Sequence, residues 1–327
     1  MDDAKTKRRV RIGVVQVASQ PGQIAANQQR ALPLIEQAAA RGAALVALPE
    51  LFACGYVPNR SVWAYAEPLA GPTVDWLRAT SRRLGIHLGA GMAELAGKDV
   101  YNSWVVAGPQ GDLVGCARKT RAETYCFRYG RGQHLVDASL GRLGVGICAD
   151  NHFVSFVSHM QESAVDLLLM PHASPVPFRT SRVITEADVA SAHERTVSLA
   201  PLWANLLGVP IVFANAVGSL SPMMGLLGRF VTPDAFHLGG LSRIVDSDGT
   251  LVAELGAEEG VIVGDVTLDP LRKQSVAPPD HDGWLHPGSA MTRKVIIPLD
   301  IALGRASYAL GRHRARPQPL SRPLTEE

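Results

Sequence analysis

The stretch Leu143-Gly144-Val145-Gly146-Ile147-Cys148-Ala149-Asp150 ends a short apolar run on a cysteine and a carboxylate. Leu143–Ile147 reads as a buried strand, so Cys148 stands at its carboxyl end. Downstream, Phe153–Ser163 has helical spacing and Val165–Met170 is a second apolar strand. Glu186–Leu207 keeps helical spacing through Val189, Val197, Leu199 and Leu202, with a kink expected at Pro201. Val209–Ala214 is a strand, Leu241–Val245 and Thr250–Leu255 form a hairpin around Asp246–Gly249, and Val261–Val266 closes the series.

Upstream the same alternation holds. Val10–Ala18 is a Val- and Ile-rich strand, Asn27–Arg41 a helix stopped by Gly42, and Ala43–Leu48 an apolar run that ends abruptly at Pro49-Glu50. Thr73–Leu84 is a helix closed by Gly85. Ile86–Met92 and Tyr101–Ala107 are strands, and Pro109–Asp112 turns into Leu113–Ala117. Alternating helices and strands with inserted hairpins predict an α/β layered domain, a mixed sheet with helices on its faces.

Composition narrows the class. Apolar residues make up 46% of 327 and charged residues 19%, enough for a large core. A net charge of +2, spread along the chain, gives no footprint for nucleic acid. No apolar run reaches the roughly 20 residues of a membrane span. Four cysteines in a chain this long do not suggest a disulfide scaffold, which points to a reduced, cytoplasmic protein. The ten histidines lack HExxH or Cys/His metal spacing, so no metal is expected, and neither a G-x-S-x-G elbow nor a phosphate loop is present.

Three residues stand where α/β folds carry chemistry, at strand ends. Cys148 taken alone reads as a core cysteine sooner than as a nucleophile. Glu50, also past a buried strand and flanked by apolar residues, suits a general base with a raised pKa. Lys119 is one of six lysines and offers a compact ammonium to hold an oxyanion.

In order and spacing the motifs resemble the nitrilase superfamily of carbon–nitrogen hydrolases over most of residues 10–270. They are Leu48-Pro-Glu50-Leu-Phe52 with Gly55-Tyr56, Tyr101-Asn102-Ser103, Arg118-Lys119-Thr120, and Gly144–Asp150. Ala66–Pro72, Asp166–Pro171, Ala214-Asn215 and Asp246–Gly249 support them. The resemblance implies a four-layer α-β-β-α sandwich. It also implies Cys148 as nucleophile, Glu50 as general base and later acid, and Lys119 as oxyanion stabiliser. Glu123, seven residues before Gly130, takes the place of a second glutamate, though the Lys-to-Glu interval is shorter than in many relatives. The oxyanion would also receive the Ala149 backbone N–H, and a thioester would form and be hydrolysed. No cofactor is implied.

Cys148-Ala149-Asp150 is closer to the Cys-x-Asp of amidases and carbamoylases than to the Cys-Trp-Glu typical of nitrile hydrolysis. Amide or N-carbamoyl hydrolysis is therefore the expected reaction, on a small-molecule substrate. Asn151-His152-Phe153 and Trp203–Leu207 depart from the family pattern where selectivity is set. Asn151, His152, His172 and Phe178 are candidate substrate contacts, with helix capping or a structural loop as their other reading. Acyl transfer, a glutaminase and a catalytically silent binding protein on the same fold are the rivals.

Residues 1–270 are expected to form the hydrolase domain and 271–327 a C-terminal extension. In Val295–Arg312 an apolar face of Ile296, Leu299, Leu303, Ala306 and Leu310 lies near Arg305, Arg312 and Arg314. Such a helix packs on its own domain or on a partner subunit, with membrane binding as the alternative. The resemblance implies at least a homodimer.

Overall fold

Alternation along the strands decides how the layers stack. A computed structural model describes residues 6–180 and 184–311. In its first strand, β1 (Arg8–Gln16), Val10, Ile12 and Val14 enter one core and Val15 enters another.

The chain continues through α1 (Ile24–Ala40), β2 (Leu45–Ala47), α2 (Pro72–Leu84), β3 (His87–Ala96), β4 (Asp99–Ala107) and β5 (Leu113–Arg118). Next come β6 (Leu135–Ala138), β7 (Gly141–Val145), α3 (Val154–Glu162), β8 (Leu167–His172), β9 (Pro175–Pro177) and α4 (Glu186–Leu207). β10 (Ile211–Asn215), β11 (Val217–Ser219), β12 (Phe236–Gly239), β13 (Arg243–Val245), β14 (Leu251–Glu254), β15 (Gly260–Leu268) and α5 (Ile297–Gly311) complete it.

Two six-stranded sheets form, in the orders β15-β1-β2-β3-β4-β5 and β14-β13-β10-β8-β7-β6. Their inner faces meet in one core, where Ile12, Leu45, Trp104 and Val266 of the first sheet join Leu143, Leu167, Leu169 and Val212 of the second. α1 and α2 cover the outer face of the first sheet through Ile35, Ala38, Val74 and Leu77. α3 and α4 cover the second through Val157, Met160, Leu199 and Trp203. The result is the four-layer α-β-β-α sandwich with a mixed sheet on each side.

Strand direction then gathers the chemistry. β1, β2 and β3 run parallel, and two antiparallel steps make β5 run the same way. β7, β8 and β10 are likewise parallel. Glu50 follows β2, Lys119 follows β5 and Cys148 follows β7, so each leaves a strand at its carboxyl end.

α4 runs as one helix through Pro201. The proline leaves the Val197 carbonyl without its helical donor, and Arg243 Nη1 donates to that carbonyl at 2.9 Å. A charged side chain from β13 thus replaces the missing bond. β6 and the three-stranded sheet β11-β12-β9 have no counterpart in the sequence reading. β9 is Pro-Val-Pro, a composition that reads as loop until its partner strand is known.

The C-terminal helix lies the other way round from its apolar pattern. Asp300, Gly304, Tyr308 and Gly311 are its buried positions, while Leu299, Leu303, Ala306 and Leu310 are exposed. Polar anchoring and the close approach allowed at Gly304 seat this face on the domain, with the leucines on the opposite side. Arg312 and Arg314 lie outside the described residues. No helix among the described residues is long and apolar enough to cross a membrane.

Candidate active site

Glu50 sits in a tight turn whose next residue, Leu51, has φ 49°. The turn lies against β3: Gly91 N–H donates to the Pro49 carbonyl (3.1 Å), and Ala53 N–H donates to the Gly91 carbonyl (3.0 Å). A Cβ on Gly91 would stand 2.2 Å from Leu51 N, so this approach requires glycine. Trp104 Nε1 donates to the Leu48 carbonyl at 3.0 Å and holds the turn from the inner core. The carboxylate ends up with 1% exposure.

Lys119 is also 1% exposed. Its ammonium donates to Glu50 Oε1 at 2.6 Å and to Glu123 Oε1 at 2.8 Å, bridging the two carboxylates. Asn102, opposite it on β4, accepts the Lys119 backbone N–H at 2.9 Å and donates Nδ2 to Glu50 Oε1 at 2.7 Å. One asparagine therefore sets both the lysine and the glutamate. The Tyr56 hydroxyl donates to Glu123 Oε1 at 2.9 Å. Both carboxylates thus concentrate their bonds on Oε1, and each Oε2 is buried with no hydrogen-bond partner.

Cys148 opens the short helical turn Cys148–His152 with φ 46°, a left-handed conformation that costs a non-glycine residue energy. The strain is held by Asp150. Its carboxylate accepts Thr120 Oγ1 and Arg121 N–H at 2.8 Å each, Thr120 N–H at 3.1 Å and Ile147 N–H at 3.3 Å. From α4, Trp203 Nε1 donates to the Asn151 carbonyl at 3.0 Å. The cysteine turn and the lysine loop are therefore fastened to each other.

The charges follow from this burial. Burial pushes the Glu50 carboxyl up, against the pull of Lys119, with the Glu123 charge adding to the rise. Glu123 goes the other way: Lys119 and the Tyr56 hydroxyl overcome its burial and hold it low. Lys119, between two carboxylates, is held charged well above its usual range. Burial, followed by the Glu50 charge, pushes the Cys148 thiol up. Lys119 does draw the thiol down, but less strongly, so the resting nucleophile candidate is a thiol, contrary to the thiolate that a neighbouring lysine suggests.

The four candidate catalytic residues come together. Glu50, Lys119 and Glu123 are joined by direct bonds, and all three charges act on the Cys148 thiol. Ala149 is half-buried in the cysteine turn. Asn151 is a correction to the substrate-contact reading. It is fully buried, and its amide donates to the Gly146 carbonyl (2.6 Å) and to His172 Nε2 (2.9 Å), both within the protein. His172, 1% exposed, passes its other nitrogen to Ser174 Oγ at 3.0 Å.

His152 and His172 do meet, with ring centroids 6.0 Å apart, and share the wall of a 160 Å³ cavity with Arg195, Thr196 and Phe213. Burial lowers both, His152 to about 4, so each is a neutral ring at neutral pH. Phe178 stands apart at 45% exposure, its ring 5.1 Å from that of His237. The sequence reading quoted Tyr56, Asn102 and Asp150 only as motif letters. Their signal was adjacency to the reactive positions, and their contacts come from strands distant in sequence.

A buried carboxylate–ammonium–carboxylate set beside a cysteine, at the strand ends of an α-β-β-α sandwich, is the arrangement that the resemblance to carbon–nitrogen hydrolases implies. The chain belongs to the carbon-nitrogen hydrolase family, whose sequence profile matches residues 11–274. A nitrilase of Pyrococcus abyssi is 32% identical over 176 residues, 52% of this chain and 67% of its own length. Omega-amidase NIT2 of Xenopus tropicalis is 27% identical over 256 residues, 74% of this chain and 83% of its own. Among solved structures, Nit3 of Saccharomyces cerevisiae, a member of branch 10 of the nitrilase superfamily, aligns with a TM-score of 0.63 at 26% identity. That alignment covers 81% of this chain and 92% of the other. A carbon-nitrogen hydrolase from Helicobacter pylori G27 has the same fold, with a TM-score of 0.70 at 21% identity over 81% and 91% of the two chains.

Proposed function

We propose that the protein hydrolyses a small amide or N-carbamoyl compound through a thioester on Cys148, releasing ammonia or an amine. The observation that carries this reading is the division of labour on Glu50. Lys119 and Asn102 both occupy Oε1, which leaves the buried Oε2 without a partner and able to take a proton.

In this reading Glu50 Oε2 accepts the thiol proton as sulfur attacks the carbonyl carbon. The raised thiol pKa makes base assistance necessary, and the raised Glu50 pKa makes it efficient near neutrality. Charge developing on the carbonyl oxygen is met by the Lys119 ammonium and the Ala149 backbone N–H. Glu50 returns the proton to the departing nitrogen, and the C–N bond breaks. Water, deprotonated by Glu50, then attacks the thioester carbon. The second tetrahedral intermediate collapses, the C–S bond breaks and the thiol recovers a proton. Glu123, held ionised by Lys119 and Tyr56, keeps the ammonium charged and in place throughout.

Amides are favoured over nitriles by Cys148-Ala149-Asp150, and the omega-amidase NIT2 of Xenopus tropicalis aligns over 74% of this chain against 52% for the nitrilase of Pyrococcus abyssi. A homodimer, with residues 271–327 as an extension of the hydrolase domain, accompanies the reading. The test is ammonia release from panels of small amides, N-carbamoyl amines and nitriles, by the wild type and by Cys148→Ala. Turnover of amides or carbamoyl compounds that vanishes in Cys148→Ala supports the reading. A panel in which only nitriles react, or a fully active variant, overturns it.

A further inference from the structure

The profile of the family ends at residue 274, and α5 lies wholly beyond it. This helix nevertheless packs on the turn that carries Glu123. Gly304 rests on Thr124 so closely that a Cβ there would stand 2.0 Å from Thr124 Oγ1 and 3.0 Å from Tyr125 Cδ2. Thr124 is the residue after Glu123, and the Glu123 carbonyl accepts the N–H groups of Cys126 (2.9 Å) and Phe127 (3.0 Å) that form the turn.

Contacts on either side make the seat specific. One turn earlier in the helix, Asp300, itself buried, accepts the Leu226 N–H at 2.5 Å, which brings the 223–227 loop onto the same face. One turn later, the Tyr308 hydroxyl accepts the Val100 N–H at 2.9 Å, and its ring meets Trp63 edge-on at 5.8 Å. Trp63 in turn donates Nε1 to the Cys126 carbonyl at 2.7 Å. Arg60 donates to Ser307 Oγ at 2.7 Å, and the Arg305 guanidinium lies over the Tyr129 ring at 4.6 Å. The Glu123 turn is therefore held at Thr124 and Cys126, directly and through Trp63, by a helix from outside the family span. The leucines of the helix take no part and face outward.

We infer that α5 is a positioning element of the active site, seating the Glu123 turn so that the second carboxylate stays on Lys119. The inference rests on the proposed roles of Glu50, Lys119 and Glu123. Loss of the seat lets Glu123 move off the ammonium. Lys119 is then left more fully to Glu50, and the like charge that raises Glu50 recedes, so the Glu50 pKa falls.

The decisive variant is Gly304→Ala, compared with Leu303→Ala on the exposed face of the same helix. Backbone exchange at Cys126 and Phe127 is expected to quicken by roughly tenfold or more in Gly304→Ala. With it, kcat falls, and the acid limb of the pH–kcat/KM profile moves to lower pH by on the order of half a unit. Leu303→Ala leaves all three unchanged. General destabilisation lowers the amount of active enzyme but does not move the limb. Should Gly304→Ala not fold, Asp300→Ala and Asp300→Asn replace it. The asparagine keeps an acceptor for Leu226 N–H and is expected to restore what the alanine loses. Unchanged exchange at Cys126 and Phe127, or a limb that stays in place, overturns the inference. Failure of the underlying reading is separate: it shows as turnover surviving in Cys148→Ala.

Discussion

Asp150 accepts the Arg121 backbone N–H at 2.8 Å, and through this bond the turn that begins at Cys148 is tied to the loop that begins at Lys119. The two segments come from opposite sheets. Above the core that the two sheets share, one buried carboxylate ties these two segments directly to each other.

Asp150→Ala should therefore damage both stability and rate. Three backbone N–H groups, of Thr120, Arg121 and Ile147, lose a charged acceptor. A loss of about 3 kcal/mol of unfolding free energy is expected in denaturant melts. In Asp150→Asn, which keeps one acceptor oxygen, kcat/KM should fall by at least ~10-fold while the fold persists. Wild-type values in both variants would show that the tie does not matter.

The pH profile should carry the signature of Glu50. Its pKa is raised, so the base form is lost as pH falls through a value above the ordinary 4.5. The activity limb is expected there, and Glu50→Gln should remove it while lowering kcat by about 10²- to 10⁴-fold. A limb that survives in the glutamine variant belongs to another group.

Gly91→Ala puts a methyl group where Leu51 N, the Glu50 backbone and the Pro49 carbonyl already lie within 2.7 Å. Either β3 or the Glu50 turn must move. Destabilisation of roughly 3 kcal/mol is expected, with kcat reduced more than thermal stability alone explains. Circular-dichroism melts alongside rates on folded material would separate the two effects.

The buried histidines should make the fold acid-sensitive. Unfolded, His152 takes a proton near 6.5; folded, it takes one only near 4. The unfolded chain then binds more protons as pH drops, so this stabilisation is complete above 6.5 and lost on descent to 4, up to about 3 kcal/mol. His172 acts in the same direction. Urea unfolding midpoints should fall over that window, and His152→Phe should flatten the slope. An unchanged slope would mean that His152 is not protected in the folded state.

Most of the strands, and the strand-end places of three of the four candidate residues, were legible because they depend on local signals, while the stacking of two sheets came only with the family resemblance. Apolar runs ending at Glu50 and Cys148 declare strand ends, Gly85 stops α2 with φ 66°, and the order of the motifs carried the family resemblance. What escaped depends on pairs far apart in sequence. That Asn102 serves both Glu50 and Lys119 is visible only once β4 lies beside β5. Whether Asn151 caps the turn or meets a substrate is equally open from sequence, because the two acceptors of its amide group, the Gly146 carbonyl and His172 Nε2, are brought to it only by the fold. The helix 297–311 packs on its own domain through Asp300, Gly304, Tyr308 and Gly311, a contact that its leucine spacing did not announce, because the leucines lie on the opposite, exposed face.

The pairing of β1 with β15 joins Arg8 to Leu268 and Gln16 to Gly260. Among the described strands, the first to leave the ribosome thus waits for the last to emerge before this edge is filled. Until then an apolar ribbon containing Ile12, Val14 and Val15 is open on one side, available to any other strand nearby. So long a separation slows closure of the first sheet and makes it the step at which assembly competes with aggregation. Ending the nascent chain before β15 should leave Glu50, Lys119 and Cys148 synthesised but the sheet that orders Glu50 and Lys119 unfinished.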